Sequence, residues 1–253
     1  MDSMLNFDNK VALITGASQG FGKLLALELA SRGAKVVLGD IKAESLADFT
    51  ETLKQQGYQA ISLAGDVSDE SYCKALTELA VSEFGSLDIA VNNAGIAPNF
   101  APLHMTDEAT MDKQFAVNVK GVQFGMKHQI QYMLTQGSGV LLNVSSMAGL
   151  GGAPTVSSYA AAKHAVIGLT KTAAVEYAAA NIRINAVCPF FALTNMVTNV
   201  SDDESRKKLA RRAPMKRLGH PEEIVATMLL LLSPANTYMT GQCIAIDGGV
   251  SAM

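Results

Sequence analysis

The sequence predicts an α/β protein: a doubly wound parallel sheet of about seven strands with helices on both faces. Three observations carry this. Short apolar runs alternate with helical stretches along the whole chain. Most of these runs are continuous rather than alternating in polarity, as in strands buried on both faces. No linker, repeat or compositional shift divides the 253 residues, so a single domain over residues 1–253 is expected.

The strand-like runs, in order, are Val11–Thr15, Val36–Gly39, Ala60–Leu63, Ile89–Asn92, Val140–Val144, Ile182–Val187 and Cys243–Ile246. Each is four to six residues long, the length of a buried strand rather than a helix. The helical patterns between them are Gly22–Ser31, Ala43–Gln56, Asp69–Phe84, Thr110–Thr135, Val156–Ala180 and Glu222–Leu232. The βαβαβ alternation is what a doubly wound sheet requires. The stretch Phe190–Gly219 fits it least well. It is long for a connection, and long connections are often binding loops or lids. Residues 190–219 are therefore expected to form a substrate-binding segment. Its charged run, Ser201–Arg212, reads by itself as a solvated surface helix.

Composition narrows the function classes. Apolar residues make up 49% and charged residues 17%, which excludes intrinsic disorder. Net charge is −3, so electrostatics favour no nucleic-acid partner. Cys73, Cys188 and Cys243 lie far apart, and His104, His128, His164 and His220 form no spaced set. Neither a disulfide framework nor a metal site is expected. No apolar run reaches the length of a membrane helix. The start, MDSMLNFDNK, lacks the features of a signal peptide, so the expected location is cytoplasmic.

The segment Thr15-Gly16-Ala17-Ser18-Gln19-Gly20-Phe21-Gly22 follows the first strand and opens the first helix. Glycines there permit a tight turn and close approach of a pyrophosphate, and the helix N-terminus offers free N–H groups. The spacing is GxxxGxG rather than the commoner GxGxxG. Asp40 ends the second strand, 24 residues after Gly16, near the offset of an acid that binds ribose hydroxyls. A 2′-phosphate at 4 Å from that carboxylate would cost roughly 4 kcal/mol at an effective dielectric of 20. With no Arg or Lys in the turn before Gly20, NAD(H) is expected over NADP(H).

In order along the chain come the glycine turn, Asp66 in GDVSD, Asn92-Asn93-Ala94-Gly95, Asn118, Ser146, Tyr159-Ala-Ala-Ala-Lys163, Pro189 and Thr194. Together these landmarks resemble the classical short-chain dehydrogenases/reductases, over nearly the whole of Val11–Gly249. The resemblance implies a Rossmann-type fold and a catalytic set of Asn118, Ser146, Tyr159 and Lys163. Tyr159 and Lys163 are i, i+4 and share a helix face. A tyrosine near pKa 10 is a poor base at pH 7, and a neighbouring ammonium is expected to lower that value. A fall of about three units needs roughly 4 kcal/mol, which the lysine and an oxidised nicotinamide together are expected to supply. Ser146 lies 13 residues before Tyr159 and is expected to hold the substrate oxygen, while Ser145 faces the other way.

For the cofactor, the resemblance implies contacts from Gly16, Ser18, Gln19, Gly20, Phe21, Gly22, Asp40 and Ile41. It adds Asp66 and Val67 at the adenine edge and Asn93, Ala94 and Gly95 beside the adenosine ribose. Tyr159, Lys163, Pro189 and Thr194 fall near the nicotinamide. Asn93 also reads as a pin between strands, and Thr194 as a helix cap. In the family, Asn118 helps hold a water that links the lysine to solvent. Members often form homotetramers, so self-association is expected.

Phe190 stands where the family usually has glycine, which puts the local backbone in question. Phe190, Phe191, Met147, Leu150, Val156 and Met196 are candidates for an apolar substrate pocket. The expected reaction interconverts a hydrophobic secondary alcohol and its ketone, with NAD and with Tyr159 as acid/base. One alternative is a 3-oxoacyl-thioester reductase, its phosphates met by Arg206-Lys207-Lys208, Arg211 and Arg212. A second is a noncatalytic NAD-binding sensor on the same fold.

Overall fold

The computed structural model describes residues 3–194, 197 and 202–253. Its strands are β1 (Val11–Thr15), β2 (Lys35–Asp40), β3 (Ala60–Ala64), β4 (Ile89–Asn92), β5 (Gly139–Val144), β6 (Ile182–Pro189) and β7 (Cys243–Ile246). They pair in the order β3-β2-β1-β4-β5-β6-β7, all parallel. The order reverses between β1 and β4. At such a switch point the connections leave on opposite faces, and a crevice opens at the C-terminal strand ends.

The helices are α1 (Gly20–Ser31), α2 (Ala43–Gln55), α3 (Glu70–Phe84), α4 (Glu108–Phe115), α5 (Gly121–Gln136), α6 (Ser157–Tyr177), α7 (Asp203–Arg212) and α8 (Pro221–Leu232). Two apolar layers cover the sheet. Leu25 and Leu29 of α1, Leu46 and Leu53 of α2 and Met228 of α8 pack on one face. Leu76 of α3, Met126 and Ile130 of α5 and Val166 of α6 pack on the other. This two-sided burial is why the inner strands carry uninterrupted apolar runs. The charged run does fold as a surface helix, α7, opened by Asp202 accepting from the Ser205 N–H.

One expected element comes out differently. The stretch expected as one helix over Thr110–Thr135 is α4 and α5 joined by a π-helical turn, Ala116–Lys120. Helical periodicity cannot distinguish these, since the chain keeps turning in the same sense and only the hydrogen-bond step lengthens.

Polar groups inside the layers are paired, and none among the described residues is left without a partner. Asn92 of β4 and Asn143 of β5 are register partners, and Asn92 donates to Asn143 Oδ1 at 3.0 Å. Gln129 exchanges bonds with Asn92 from α5, and Asn143 donates to Thr170 of α6 at 2.9 Å. This amide chain fixes both helices to the middle of the sheet.

Arg183, buried in β6, donates to the carbonyls of Leu231, Ser233 and Met239. Two of these close the end of α8, where carbonyls lack helical donors and a cation is favoured. Replacing Arg183 with Met should lower unfolding free energy by about 2–4 kcal/mol, because three buried carbonyls lose a charged donor. Denaturant titration of the variant checks this; unchanged stability would remove Arg183 from the closure of α8.

Candidate active site

The glycine turn lies at the C-terminal end of β1, at the switch point. Gly16 and Gly20 both have positive φ, +68° and +56°. Their surroundings differ. A Cβ on Gly16 would fall 2.9 Å from Ala94 Cα, and one on Gly22 would fall 2.2 Å from the Gly16 carbonyl oxygen. These two glycines permit close packing of chain on chain. At Gly20 the nearest atoms are those of Thr194, at 3.9 Å, so its outer face is open. α1 begins at Gly20 with no side-chain cap and no acid in its first turn. An open glycine at the positive end of a helix is the cradle that a diphosphate fits.

Asn93 pins the turn. Its Nδ2 donates to the carbonyls of Thr15 at 2.9 Å and Gly16 at 3.1 Å. Thr15 Oγ1 in turn accepts from the N–H groups of Asn93 and Ala94. The strand-pinning reading of Asn93 is therefore realised in the structure. Asp40, at the end of β2, accepts from the Ser18 N–H and hydroxyl at 3.0 and 2.7 Å, and from the Lys42 N–H at 3.0 Å. A carboxylate offers about four acceptor positions, so one remains. Ile41 beside it is exposed. The Lys42 ammonium bonds Gln19 Oε1 at 2.9 Å. The turn carries no cation in sequence, but the fold brings one to it, which weakens the electrostatic case against a 2′-phosphate.

Asp66 closes its own turn by accepting from the Ser68 N–H, and Val67 packs under α5 against Gly121. Gly95 sits between Asn118 and Lys163. A Cβ there would lie 2.7 Å from Asn118 Oδ1 and 3.7 Å from Lys163 Nζ. Asn118, at the centre of the π turn, is fully buried. Its Oδ1 accepts from the Ile96 N–H at 3.0 Å, and its Nδ2 donates to Gln114 Oε1 at 2.6 Å. A π turn inside an α-helix often marks a functional position, because it frees a main-chain carbonyl from the regular ladder.

β5 ends at Val144, and the next two serines point apart. Ser145 donates to the Lys163 carbonyl at 2.9 Å, tying α6 to the strand end. The Ser146 hydroxyl accepts from the Ala148 N–H at 3.2 Å, and its side chain lies close enough to the Tyr159 phenol to hold its pKa down. Lys163 is 4% exposed and donates to the Val144 carbonyl at 2.9 Å. Its ammonium lies 5.6 Å from the Tyr159 ring centre. Ser146, Tyr159 and Lys163 thus meet in one place, with Asn118 reached through Gly95.

The protein's own groups do not by themselves drive Tyr159 below its ordinary pKa. Loss of water around the ring raises it, and the nearby Ser146 side chain opposes that rise. The lysine sits over the ring and bonds a carbonyl rather than the phenol oxygen. Burial instead acts on Lys163, pushed down to about 8.

Pro189 ends β6 opposite Ile246. Phe190 has no positive φ, and its N–H extends the ladder to the Ile246 carbonyl at 3.0 Å. The glycine of the family is therefore not needed for this path. Phe190 and Phe191 meet edge to face at 4.8 Å. A bridge from Ala192 to Gly219 closes the neck of the 190–219 segment. Val156 is buried, Met147 and the two phenylalanines are half-buried, and Leu150 is exposed. Met196 lies outside the described residues. A hollow of about 290 Å³ under α7 and another of about 260 Å³ beside α4 are lined by other residues. Two of the five cations of the basic run on α7 are paired within the helix, Arg206 with Asp203 and Lys208 with Glu204.

Among the described residues no group of His, Cys, Asp or Glu is arranged to hold a metal ion, and no helix is long and apolar enough to cross a membrane. Nothing in the spacing pointed to Gln114, Lys42 or the Asn92–Asn143 pair. Asparagines inside otherwise apolar strands were the available signal for the last.

Sheet order, open glycine turn and the hydroxyl–hydroxyl–ammonium cluster define an oxidoreductase of the dinucleotide-binding class. Residues 16–251 match the model of a family described as enoyl-(acyl carrier protein) reductase. The chain is 43% identical over 247 residues to cis-4-hydroxycyclohexanecarboxylate dehydrogenase of Sinomonas cyclohexanicum, covering 98% of each. It is 37% identical to cyclohexanol dehydrogenase of an Acinetobacter strain, covering 97% of this chain and 96% of the relative. The crystal structure of levodione reductase superposes with a TM-score of 0.93 at 36% identity, covering 98% and 99%. A 3-ketoacyl-(acyl-carrier-protein) reductase from Brucella melitensis, complexed with NADH, gives 0.90 at 33% identity, covering 97% and 100%. A gluconate 5-dehydrogenase from Burkholderia cenocepacia, complexed with NADP and tartrate, gives 0.93 at 30%, covering 99% and 98%. The chain belongs to the short-chain dehydrogenase/reductase family. It is an oxidoreductase acting on alcohols and using a nicotinamide cofactor.

The buried lysine gives a stability prediction. Its folded pKa, about 8, lies below the ordinary 10.5, so the folded protein binds the proton less well than the unfolded chain. The penalty is whole below about pH 8 and fades as pH rises through 10.5. Lys163→Met should raise stability by up to roughly 3 kcal/mol at neutral pH and by much less near pH 10. Melting curves at the two pH values test this, and an equal gain at both would refute it.

Proposed function

We propose that this protein is an NAD(H)-linked dehydrogenase interconverting a hydrophobic, ring-bearing secondary alcohol and its ketone, with Tyr159 as the acid–base group. The observation that carries the reading is the gathering of Ser146, Tyr159 and Lys163 at the end of β5, with the buried Lys163 ammonium 5.6 Å from the Tyr159 ring centre and bonded to the Val144 carbonyl. The bound nicotinamide supplies the acceptor or donor of hydride. The chain's own residues do the rest. Tyr159 Oη takes the proton of the alcohol hydroxyl, and Ser146 Oγ holds the oxygen that remains. Lys163 steadies the phenolate and, through Asn118 and water, connects it to solvent.

The open face at Gly20 and the uncapped start of α1 support the diphosphate there, with Gly16 and Gly22 shaping the turn. The remaining acceptor position of Asp40 suits a ribose hydroxyl and supports NAD(H). Lys42 moderates that preference without replacing the carboxylate. Asp66, Val67, Asn93, Ala94 and Gly95 follow the dinucleotide along the switch-point crevice, and Pro189 and Thr194 adjoin the nicotinamide end. Self-association, a homotetramer by family resemblance, is part of the same reading.

Two of the relatives act, by name, on cyclohexane alcohols, which supports a ring-bearing substrate beside Phe190 and Phe191. The 3-oxoacyl-thioester reading keeps the support of the Brucella relative. The ion pairs along α7 engage two of the five cations that this reading would turn to carrier phosphates. The sensor reading is disfavoured by the assembled Ser146, Tyr159 and Lys163.

Alcohol oxidation assayed with both cofactors is the direct test. Turnover should be faster with NAD+, and oxidation should rise with pH while ketone reduction falls, because Tyr159 must be ionised for one and protonated for the other. Tyr159→Phe should reduce kcat by about a thousandfold or more. Faster turnover with NADP+ would overturn the Asp40 assignment, and an active Tyr159→Phe enzyme would overturn the mechanism.

Phe190→Ala should raise KM for cyclohexanol-sized substrates while sparing short-chain alcohols, since lost apolar contact is worth about 1–3 kcal/mol. A ranking of kcat/KM unchanged over alcohols of graded size would place the pocket elsewhere.

A further inference from the structure

Gln114 stands on α4 one helical turn before Asn118, and it is only 3% exposed. A buried carboxamide is costly unless both ends are bonded. Here both are. Oε1 accepts from Asn118 Nδ2 at 2.6 Å, and Nε2 donates to the Ala97 carbonyl at 2.9 Å. The other bond of Asn118 Nδ2, to the Ile96 carbonyl, is long at 3.3 Å. Gln114 therefore supplies the short bond that orients the Asn118 amide. It also ties the π turn to the loop that follows Gly95.

Gln114 has a second neighbour. A surface hollow of about 260 Å³ lies between α4 and that loop, lined by Ile96, Ala97, Thr110, Lys113 and Gln114 among others. It has room for several waters. The same side chain thus faces a solvent-sized hollow while gripping Asn118, whose Oδ1 lies with Lys163 Nζ around Gly95.

We propose that Gln114 is a positioning residue for the proton relay: it holds Asn118 in register where the relay meets the hollow beside α4. The inference rests on the role given above to Tyr159, Lys163 and Asn118. Loss of the Gln114 acceptor leaves Asn118 held by Ile96 alone, at 3.0 Å through Oδ1 and 3.3 Å through Nδ2, so the π turn is no longer tied to α4 and proton return slows. Binding of cofactor and alcohol, made elsewhere, is spared.

The test compares the unaltered enzyme with Gln114→Met, Asn118→Ala and the double variant. The readouts are kcat, KM, the solvent deuterium isotope effect and the NADH dissociation constant. Gln114→Met should lower kcat about tenfold and enlarge the isotope effect, with KM and NADH affinity within about twofold. In the Asn118→Ala background the same change should alter kcat by less than about twofold, because its action runs through Asn118. An equal loss in both backgrounds, an unchanged kcat in the single variant, or a rise in KM matching the fall in kcat would overturn the proposal. Should Gln114→Met fail to fold, Gln114→Glu, neutral in this buried position, accepts from Asn118 with its carbonyl, donates to Ala97 with its hydroxyl, and should retain kcat within about threefold. A tenfold loss in Gln114→Glu would overturn the proposal too. An active Tyr159→Phe enzyme would remove the underlying mechanism and this inference with it. An inactive Tyr159→Phe enzyme with an unaffected Gln114→Met removes this inference alone.

Discussion

The Lys163 ammonium is drawn out of water and held by the Val144 carbonyl at the end of β5, and much of the site is arranged around that fact. Ser145 fixes the lysine's own carbonyl, so the turn of α6 that carries both Tyr159 and Lys163 is attached to the strand end. Ser146, one residue further, is thereby aimed at the Tyr159 hydroxyl. On the far side of Gly95 the π turn presents Asn118. A charge buried in this way costs stability, and a fold retains it where the charge has work to perform on a neighbour.

The sheet's switch point supplies the other half of the site by different means. There the governing constraint is space rather than charge. Gly16 and Gly22 let β1, α1 and the end of β4 approach within contact distance, and Asn93 secures that approach with two donated bonds. Gly20 alone leaves its face open. A motif that reads in sequence as three equivalent glycines separates in the structure into two that serve packing and one whose face is left open.

The amide network from Asn92 through Asn143 to Thr170, and the smaller one from Ala97 through Gln114 to Asn118, give the apolar layers a specified geometry. Apolar contacts have little directional preference, so packing alone tolerates small slides of α5 and α6 across the sheet. Hydrogen bonds between buried amides do not, because a shifted amide is left unpaired. These networks hold the helices that carry Asn118, Tyr159 and Lys163 to one register.

The strands, most helices and the order of site landmarks were legible in the sequence, because strand burial and motif spacing are local properties of the chain. The apolar runs from Val11–Thr15 to Cys243–Ile246 marked the seven strands, and the spacing of Ser146, Tyr159 and Lys163 marked one cluster. What the sequence withheld were properties that arise between distant segments. The π turn hid inside an unbroken helical pattern. Lys42 reached Gln19 across 23 residues, and Gln114 reached Ala97 across 17. The direction of the Tyr159 pKa was also undecidable from the chain alone. The i, i+4 lysine argued for lowering, but the folded protein removes water from the ring and places the ammonium over its face. Desolvation depends on everything packed around a group, and only the tertiary structure decides that.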